Sequence, residues 1–195
     1  MTTPPFVWLI SGCSTGFGRE IAVSALEAGD MVAVTSRNTE DIRDICNKYP
    51  STSAALNLDV TCTDQIIKCV RNVISKFGRI DVLVNNAGYG YLSAIEEGEG
   101  EEVSKLFNTN FFGALELTKQ VLPIMRNQKF GRIINNSSQA GLMANPGTGY
   151  YSASKFALEG LMEALDKEVR PLNIFVTSVQ PGAFRTDWSG RSMKK

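Results

Sequence analysis

The sequence predicts an α/β protein built on a doubly wound parallel sheet. Short apolar runs alternate with longer amphipathic stretches along nearly the whole chain. The apolar runs are continuous, which is typical of strands that are buried on both faces of a parallel sheet. Strands that alternate with helices in this way favour right-handed crossovers, with helices on both sides of the sheet.

Each predicted element follows from one of these stretches. The predicted strands cover residues 6–10, 31–35, 53–58, 81–84, 132–135 and 173–177. The predicted helices cover residues 17–28, 39–48, 63–77, 99–127 and 150–169, and the fourth is long enough to contain a break. An acidic cluster at residues 96–102 is expected to open that fourth helix, because negative charge is favourable near a helix N-terminus.

Composition excludes several classes of function. The 195 residues suffice for one domain, and 20 basic side chains balance 20 acidic ones, so neither nucleic acid nor an anionic membrane is an expected partner. The sequence has no histidine, which excludes imidazole catalysis. Its four cysteines form no C-x-x-C pair, so we predict no metal site and expect a reducing, cytoplasmic compartment. The apolar run at residues 6–10 is too short to span a bilayer.

A glycine-rich turn separates the first predicted strand from the first helix. Residues 12–18 read Gly-Cys-Ser-Thr-Gly-Phe-Gly, a G-x-x-x-G-x-G spacing. Glycines let the backbone approach a ligand closely, and the helix N-terminus behind them presents free N–H groups to a phosphate. A tight turn without a ligand is the alternative. Its place in the first βα turn of a doubly wound sheet favours dinucleotide binding.

Tyr151 and Lys155 lie four residues apart on the fifth predicted helix. Positions i and i+4 share one helix face, so the ammonium is expected close to the phenol. A nearby cation favours phenolate and is expected to lower the pKa of Tyr151, which would make it a general acid/base near neutral pH. The alternative is a packed aromatic ring beside a solvated lysine.

Four further segments complete a pattern with the glycine turn and the Tyr151–Lys155 pair. They are Asn85-Asn86-Ala87-Gly88, Asn110-Phe111-Phe112-Gly113, Asn136-Ser137-Ser138, and Pro181-Gly182 with Thr186. In this order and spacing, the chain resembles the classical short-chain dehydrogenase/reductase family over essentially its whole length. The resemblance implies a Rossmann-like fold and a single dinucleotide-binding oxidoreductase domain at residues 1–195.

The resemblance also implies catalytic roles for four residues. Tyr151 would exchange a proton with the substrate oxygen, and Lys155 would lower its pKa and bind the nicotinamide ribose. Ser138 would hydrogen-bond the substrate oxygen, unless its hydroxyl only caps a strand end. Asn110 would hold a water that relays protons from Lys155, unless it only bends its helix.

Cofactor contacts are implied along the same edge of the sheet. The pyrophosphate turn would comprise Gly12, Ser14, Thr15, Gly16, Phe17 and Gly18. The adenine would contact Asp59 and Val60, although Asp59 can instead cap the turn that follows it. The adenosine side would be lined by Asn86, Ala87 and Gly88. The nicotinamide carboxamide would be approached by Pro181, Gly182 and Thr186, unless Thr186 is only an N-cap.

The end of the second strand predicts NADP(H) rather than NAD(H). A site for NAD(H) places an acidic group there for the ribose 2′-OH. This chain instead has Thr35-Ser36-Arg37. Arg37 can pair with a 2′-phosphate and Ser36 can hydrogen-bond it, whereas the alternative is a solvated arginine at a strand end.

The predicted activity is the interconversion of a carbonyl and an alcohol. The family is longer than this chain, so the C-terminal strand and much of the substrate-binding segment are expected to be missing. The apolar flanks at residues 89–92 and 141–144 favour a lipophilic substrate of steroid, retinoid or acyl type. A homodimer or homotetramer is implied. Two alternatives are a non-catalytic NADP(H) sensor and a nucleotide-sugar epimerase, the latter disfavoured by the glycine spacing.

Overall fold

The central feature of the computed structural model is a six-stranded parallel sheet. The structure describes residues 4–182, 184 and 193–194. The strands are β1 (Val7–Ile10), β2 (Met31–Ser36), β3 (Ser53–Asn57), β4 (Val82–Asn85), β6 (Gly131–Asn136) and β7 (Ile174–Val179). A second, small sheet pairs β5 (Gly90–Tyr91) with β8 (Met193–Lys194).

The strand order in the main sheet is β3-β2-β1-β4-β6-β7. The chain therefore runs outward from β1 to β3 and then crosses back to β4, which lies beside β1 in register Leu9 to Leu83. This reversal leaves a crevice at the carboxyl ends of β1 and β4. In open α/β sheets, ligands bind at such a topological switch point.

Helices cover both faces of the sheet. They are α1 (Gly16–Glu27), α2 (Arg43–Lys48), α3 (Thr63–Phe77), α4 (Gly100–Phe107), α5 (Ala114–Gln128) and α6 (Gly149–Val169). One buried cluster joins α3 and α5 to side chains such as Leu9, Leu83 and Ile133. A second cluster joins α1 and α2 to Ile10 and Val34. Within the described ranges, no helix is long and apolar enough to cross a bilayer.

The predicted fold class and the predicted elements of the main sheet are confirmed, with shifts of one or two residues at most strand ends. Two helices differ. The second is shorter because residues 39–42 form a 3₁₀ turn. The fourth divides into α4 and α5 around a wider π-helical stretch, Asn108–Gly113. The acidic cluster does supply the first turn of α4 with two glutamates. The small second sheet was not predicted, because strands of two residues carry no periodic signal.

The prediction that the strands are buried on both faces is wrong for the outer part of the sheet. Every residue of β4 is buried, whereas β6 alternates between buried and half-buried positions. In β7, Ile174 is buried but Val179 is 46% exposed. β7 is an edge strand with a neighbour on one side only, and its apolar side chains reflect β-propensity as well as burial.

Candidate active site

The glycine turn lies at the carboxyl end of β1. Gly12 and Gly16 have positive φ angles of 73° and 61°, a conformation that L side chains rarely adopt. α1 begins at Gly16 and therefore aims its first free N–H groups at the crevice. A Cβ at Gly18 would lie 2.3 Å from both the Gly12 carbonyl oxygen and Asn86 Nδ2, so only glycine fits there.

Asn86 fixes the turn against β4. Its side-chain amide donates to the carbonyl oxygens of Ser11 and Gly12, both at 2.9 Å. In return, the Ser11 hydroxyl accepts from the main-chain N–H groups of Asn86 and Ala87 at 2.9 and 3.0 Å. The two strand ends at the switch point are therefore held together by neutral hydrogen bonds.

Arg37 and Asp59 follow β2 and β3 at the far end of the same crevice. Arg37 lines the cleft, and its carbonyl oxygen accepts a hydrogen bond of 2.6 Å from Asn57 Nδ2. The Asp59 carboxylate accepts from Thr61 N and Thr61 Oγ1 at 2.9 and 2.7 Å. Asp59 thus lines the cleft and also caps its turn, so the capping interpretation is confirmed and the adenine contact stays a prediction. Val60 packs against the α4–α5 region at Gly113.

Tyr151 and Lys155 lie on the first two turns of α6 and are only 8% and 4% exposed. Lys155 Nζ is 5.8 Å from the centre of the Tyr151 ring and donates to the main-chain oxygen of Asn136 at 2.8 Å. Both side chains line the cleft. The predicted shared face is therefore confirmed by the geometry, and the solvated lysine of the alternative is excluded by its burial.

The predicted direction of the Tyr151 pKa shift is wrong in this structure. Burial raises the pKa of Tyr151, and a hydrogen bond with Ser138 only partly offsets that rise. Burial also lowers the pKa of Lys155 from 10.5 to about 8, although the Glu159 carboxylate acts against this. The physical reason is desolvation, which disfavours the charged form of each group, whereas the sequence argument counted only the attraction between them.

Ser138 and Asn110 support the pair from two sides. Ser138 hydrogen-bonds Tyr151 and also accepts from Ala140 N at 3.1 Å, so it caps the short helical turn after β6 as well. Asn110 lies in the π-helical stretch and is 1% exposed. Its amide donates to the Tyr89 carbonyl oxygen at 2.9 Å and to Ser154 Oγ at 3.2 Å.

These residues surround one cleft of about 800 Å³. The predicted residues that line it are Gly12, Ser14, Thr15, Gly16, Phe17, Arg37, Asp59, Val60, Asn86, Ala87, Gly88, Ser138, Tyr151, Lys155, Pro181 and Gly182. Gly18 and Asn110 lie behind the wall, and each contacts a residue that lines it. Thr186 lies outside the described residues.

Sequence reasoning placed Tyr89 on an apolar flank of the substrate pocket, and Tyr89 lines the cleft. It assigned no individual role to other lining residues, among them Asn136 and Phe184. Asn136 belongs to a segment that the sequence singled out, but nothing in the spacing indicates which neighbours its side chain and carbonyl contact. Phe184 packs edge-on against Phe17, with ring centres 5.4 Å apart. The two residues are far apart in the sequence, so no local pattern predicts this contact.

The donor set fits a dinucleotide. The cleft extends from the glycine turn, where helix N–H groups suit a pyrophosphate, to the buried Tyr151–Lys155 pair. A Cβ at Gly12 would lie 3.0 Å from the backbone of Ala87, so glycine lets the turn pack this closely against the segment after β4. At the β2 end, Ser36 and Arg37 offer a hydroxyl and a cation to an anionic group.

Fold and cleft together define a dinucleotide-binding α/β protein. Residues 7–195 match the short chain dehydrogenase family, and the chain belongs to it. It is 46% identical over 186 residues to 3-ketodihydrosphingosine reductase of Bacteroides thetaiotaomicron, covering 95% of this chain and 66% of that protein. It is 35% identical over 206 residues to bovine (Bos taurus) retinol dehydrogenase 8, covering 100% of this chain and 64% of that protein. The chain thus spans about two thirds of the length of these relatives.

Solved structures similar to this chain support the same family. A short-chain dehydrogenase from Streptomyces avermitilis superposes with a TM-score of 0.94 at 43% identity, over 100% of this chain and 71% of that one. ElxO with NADP bound superposes with a TM-score of 0.90 at 31% identity, over 94% of this chain and 76% of that one. A Burkholderia phymatum member in complex with NAD superposes with a TM-score of 0.90 at 25% identity, over 95% of this chain and 68% of that one. The predicted family and the class of nicotinamide-dependent oxidoreductase are confirmed.

Proposed function

We propose that this protein is an NADP(H)-dependent oxidoreductase that interconverts a carbonyl and an alcohol on a lipophilic substrate. The observation that carries the proposal is the meeting of Tyr151, Lys155 and Ser138 at one wall of the cleft that begins at the glycine turn. A hydroxyl donor, a second hydroxyl bonded to it and a buried ammonium can supply the proton and the charge stabilisation that carbonyl reduction needs.

The nicotinamide, when bound, supplies or accepts the hydride. Tyr151 donates its phenolic proton to the carbonyl oxygen, while Ser138 orients that oxygen by a hydrogen bond. Lys155 stabilises the negative charge that develops on the tyrosine oxygen, and its contact with the Asn136 carbonyl fixes its direction. Asn110 holds the Tyr89 segment beside them. By the family resemblance it would also hold a water that relays protons between Lys155 and solvent.

The raised pKa of Tyr151 suits a proton donor in carbonyl reduction. A raised pKa keeps Tyr151 protonated near neutral pH, which is the form that donates a proton to a carbonyl. Oxidation of an alcohol requires the phenolate instead, which the charged Lys155 would stabilise. The name of the Bacteroides relative, a reductase, supports the same direction.

Two features support a lipophilic substrate. Leu142 and Met143, which follow the Ser138 turn, are 62% and 49% exposed, and Phe184 at the cleft wall is 64% exposed. Exposed apolar side chains beside a cleft are typical of a site for an apolar ligand. The two relatives act, by their names, on a ketosphingoid and on retinol, both of which carry long hydrocarbon chains.

Removal of one hydroxyl tests the proposal. We expect Tyr151→Phe to lower kcat by about a thousandfold, because a positioned general acid contributes about 10²–10⁴-fold. Turnover is followed as loss of NADPH absorbance with retinal, a long-chain 3-ketone and a 3-ketoacyl thioester. The matched control is Tyr150→Phe, whose hydroxyl bonds the Ile95 carbonyl oxygen away from the cleft.

The outcomes separate the two functional classes. A loss at Tyr151→Phe with an unchanged Kd for NADPH, and little change at Tyr150→Phe, supports the enzyme. Wild-type rates at Tyr151→Phe would overturn the assigned role. Tight NADPH binding by the wild type without oxidation of the cofactor by any carbonyl would favour the non-catalytic sensor.

Arg37 tests the choice of cofactor. We expect Arg37→Asp to shift the ratio of kcat/KM for NADPH over NADH towards NADH by about 10–100-fold, because hydrogen bonds to charged groups contribute about 1.5–3 kcal/mol. Arg43→Asp, on the exposed helix that follows, is the control and should leave the ratio unchanged. Equal or better efficiency of the wild type with NADH would contradict the proposed preference for NADP(H).

We extend the proposal to assembly and location. Phe112 and Phe156 are 49% and 46% exposed on the outer surfaces of the central helices, which supports a homodimer or homotetramer formed through them. Light scattering of the purified chain measures this directly, and a monomer at micromolar concentration would contradict it. A cytoplasmic location stays a prediction from the cysteine content.

A further inference from the structure

Two consecutive asparagines lie at the carboxyl end of each of two neighbouring strands, Asn85-Asn86 at β4 and Asn135-Asn136 at β6. Asn85 pairs in register with Asn135. Side chains alternate along a strand, so Asn85 and Asn135 point to one face while Asn86 and Asn136 point to the other. On the face away from the cleft, here called the inner face, Asn85 Nδ2 donates to Asn135 Oδ1 at 2.8 Å. On the face towards the cleft, Asn136 Nδ2 donates to Asn86 Oδ1 at 2.9 Å.

The pair on the cleft face, Asn86 and Asn136, is also bonded to the glycine turn. Asn86 uses its amide nitrogen to bind the carbonyl oxygens of Ser11 and Gly12. Its amide oxygen faces the opposite way and receives the hydrogen bond from Asn136. An amide that donates at one end and accepts at the other has one orientation only, so Asn136 fixes which way Asn86 points.

The same residue also contacts the catalytic lysine. The main-chain oxygen of Asn136 accepts from Lys155 Nζ at 2.8 Å. Asn136 therefore joins the glycine turn, through Asn86, to the buried ammonium, through its carbonyl. These contacts come from three strands and one helix that meet only in the folded protein.

We propose that Asn136 is a positioning residue that couples the cofactor-binding turn to Lys155, so that the turn and the lysine are held at one fixed separation. This rests on the proposed function, since the turn must bind the cofactor and Lys155 must act beside it. Loss of the amide leaves the Asn86 oxygen without that donor while the carbonyl contact to Lys155 remains. The turn is then less well fixed relative to the lysine.

The test compares the two asparagines of β6. We expect Asn136→Leu to raise the Kd and KM for NADPH by about tenfold and to raise KM by a larger factor than it lowers kcat, as loss of one oriented hydrogen bond predicts. Asn136→Asp should be worse, because two acceptor oxygens would then face each other. Asn135→Leu removes the equivalent amide on the inner face and should lower the melting temperature without changing the Kd.

Binding is measured by NADPH fluorescence titration, and melting temperature separately, so that folding and positioning are distinguished. If both β6 variants lose melting temperature and neither changes the Kd, the residue is merely structural and the proposal is wrong. A wild-type protein that binds neither NADPH nor NADH would instead overturn the proposed function. Should Asn136→Leu not fold, Asn136→Ser, which also lacks the reach to Asn86, must show the raised Kd.

Discussion

The two ends of the central sheet are held together by different chemistry. At the amino ends, carboxylates bind main-chain N–H groups: Asp81 accepts from Val7 N at 2.9 Å, and Asp30 accepts from Phe6 N at 2.9 Å. At the carboxyl ends of β1, β4 and β6, the hydroxyl of Ser11 and the amides of Asn86 and Asn136 make the corresponding bonds.

The use of neutral groups at the carboxyl ends is explained by the charge of the proposed dinucleotide. A pyrophosphate is anionic, so carboxylates beside the glycine turn would repel it, whereas amides and hydroxyls fix the backbone without charge. At the opposite end no such conflict arises, and charged hydrogen bonds give the stronger anchorage. We therefore expect substitutions at the amino ends of the strands to lower the free energy of unfolding. Substitutions at the carboxyl ends should chiefly alter cofactor binding and turnover.

Lys155 gives the largest expected effect on stability and is an exception to the comparison, because its ammonium is buried at the binding end. Its pKa is about 8 when folded against 10.5 ordinarily. Between those pH values the unfolded chain binds more protons, so the free energy of unfolding rises with pH. Relative to Lys155→Met, wild type should gain about 3 kcal/mol across this window and nothing below it.

Urea unfolding at a series of pH values measures that difference. The buried methionine serves as the reference because its side chain has similar volume and no charge to titrate. A difference between wild type and Lys155→Met that stays flat from neutral to alkaline pH would mean that the lysine is not desolvated in the folded protein.

Asp81 tests the amino ends. Its side chain is 0% exposed and binds both Val7 N and the Arg79 guanidinium. We expect Asp81→Asn to lower the free energy of unfolding by about 2 kcal/mol, because one charged hydrogen bond is lost and an amide N–H must face another donor. The Kd for NADPH of the folded fraction should not change.

Asp64→Asn is the matched control, an exposed aspartate in the first turn of α3 that should lose less than about 1 kcal/mol. Weaker NADPH binding by Asp81→Asn at an unchanged free energy of unfolding would contradict the proposed difference between the two ends of the sheet. In that case the carboxylate would act on the cleft across the whole length of the sheet.

The smallest expected effect lies away from both ends. Gly160 is an exposed residue in the interior of α6, and a Cβ there would meet no atom within 4 Å. Gly160→Ala should raise the free energy of unfolding by about 0.5–1 kcal/mol, because alanine loses less backbone entropy in a helix. Cofactor affinity and turnover should both stay at wild-type values. A destabilised variant in urea unfolding would contradict the open space around Gly160.

Most of the fold could be predicted from local pattern. The main-sheet strands, α3 and α6 follow from apolar runs and helical periodicity, and the break in the long helix follows from its length. The edge exposure of β7 could not be predicted, because a run such as Ile174-Phe175-Val176 reads the same whether one or both faces are covered. The lining residue Phe184 was also missed, since its contact with Phe17 spans most of the chain.

The sequence by itself determined the class of sheet, the glycine turn and the four-residue spacing of Tyr151 and Lys155, because backbone conformation and helical repeat are local properties. Only the tertiary structure decided the sign of the Tyr151 pKa shift and the contacts of Asn136. Desolvation depends on everything packed around a group, and a hydrogen bond between two strand ends exists only once those strands lie side by side.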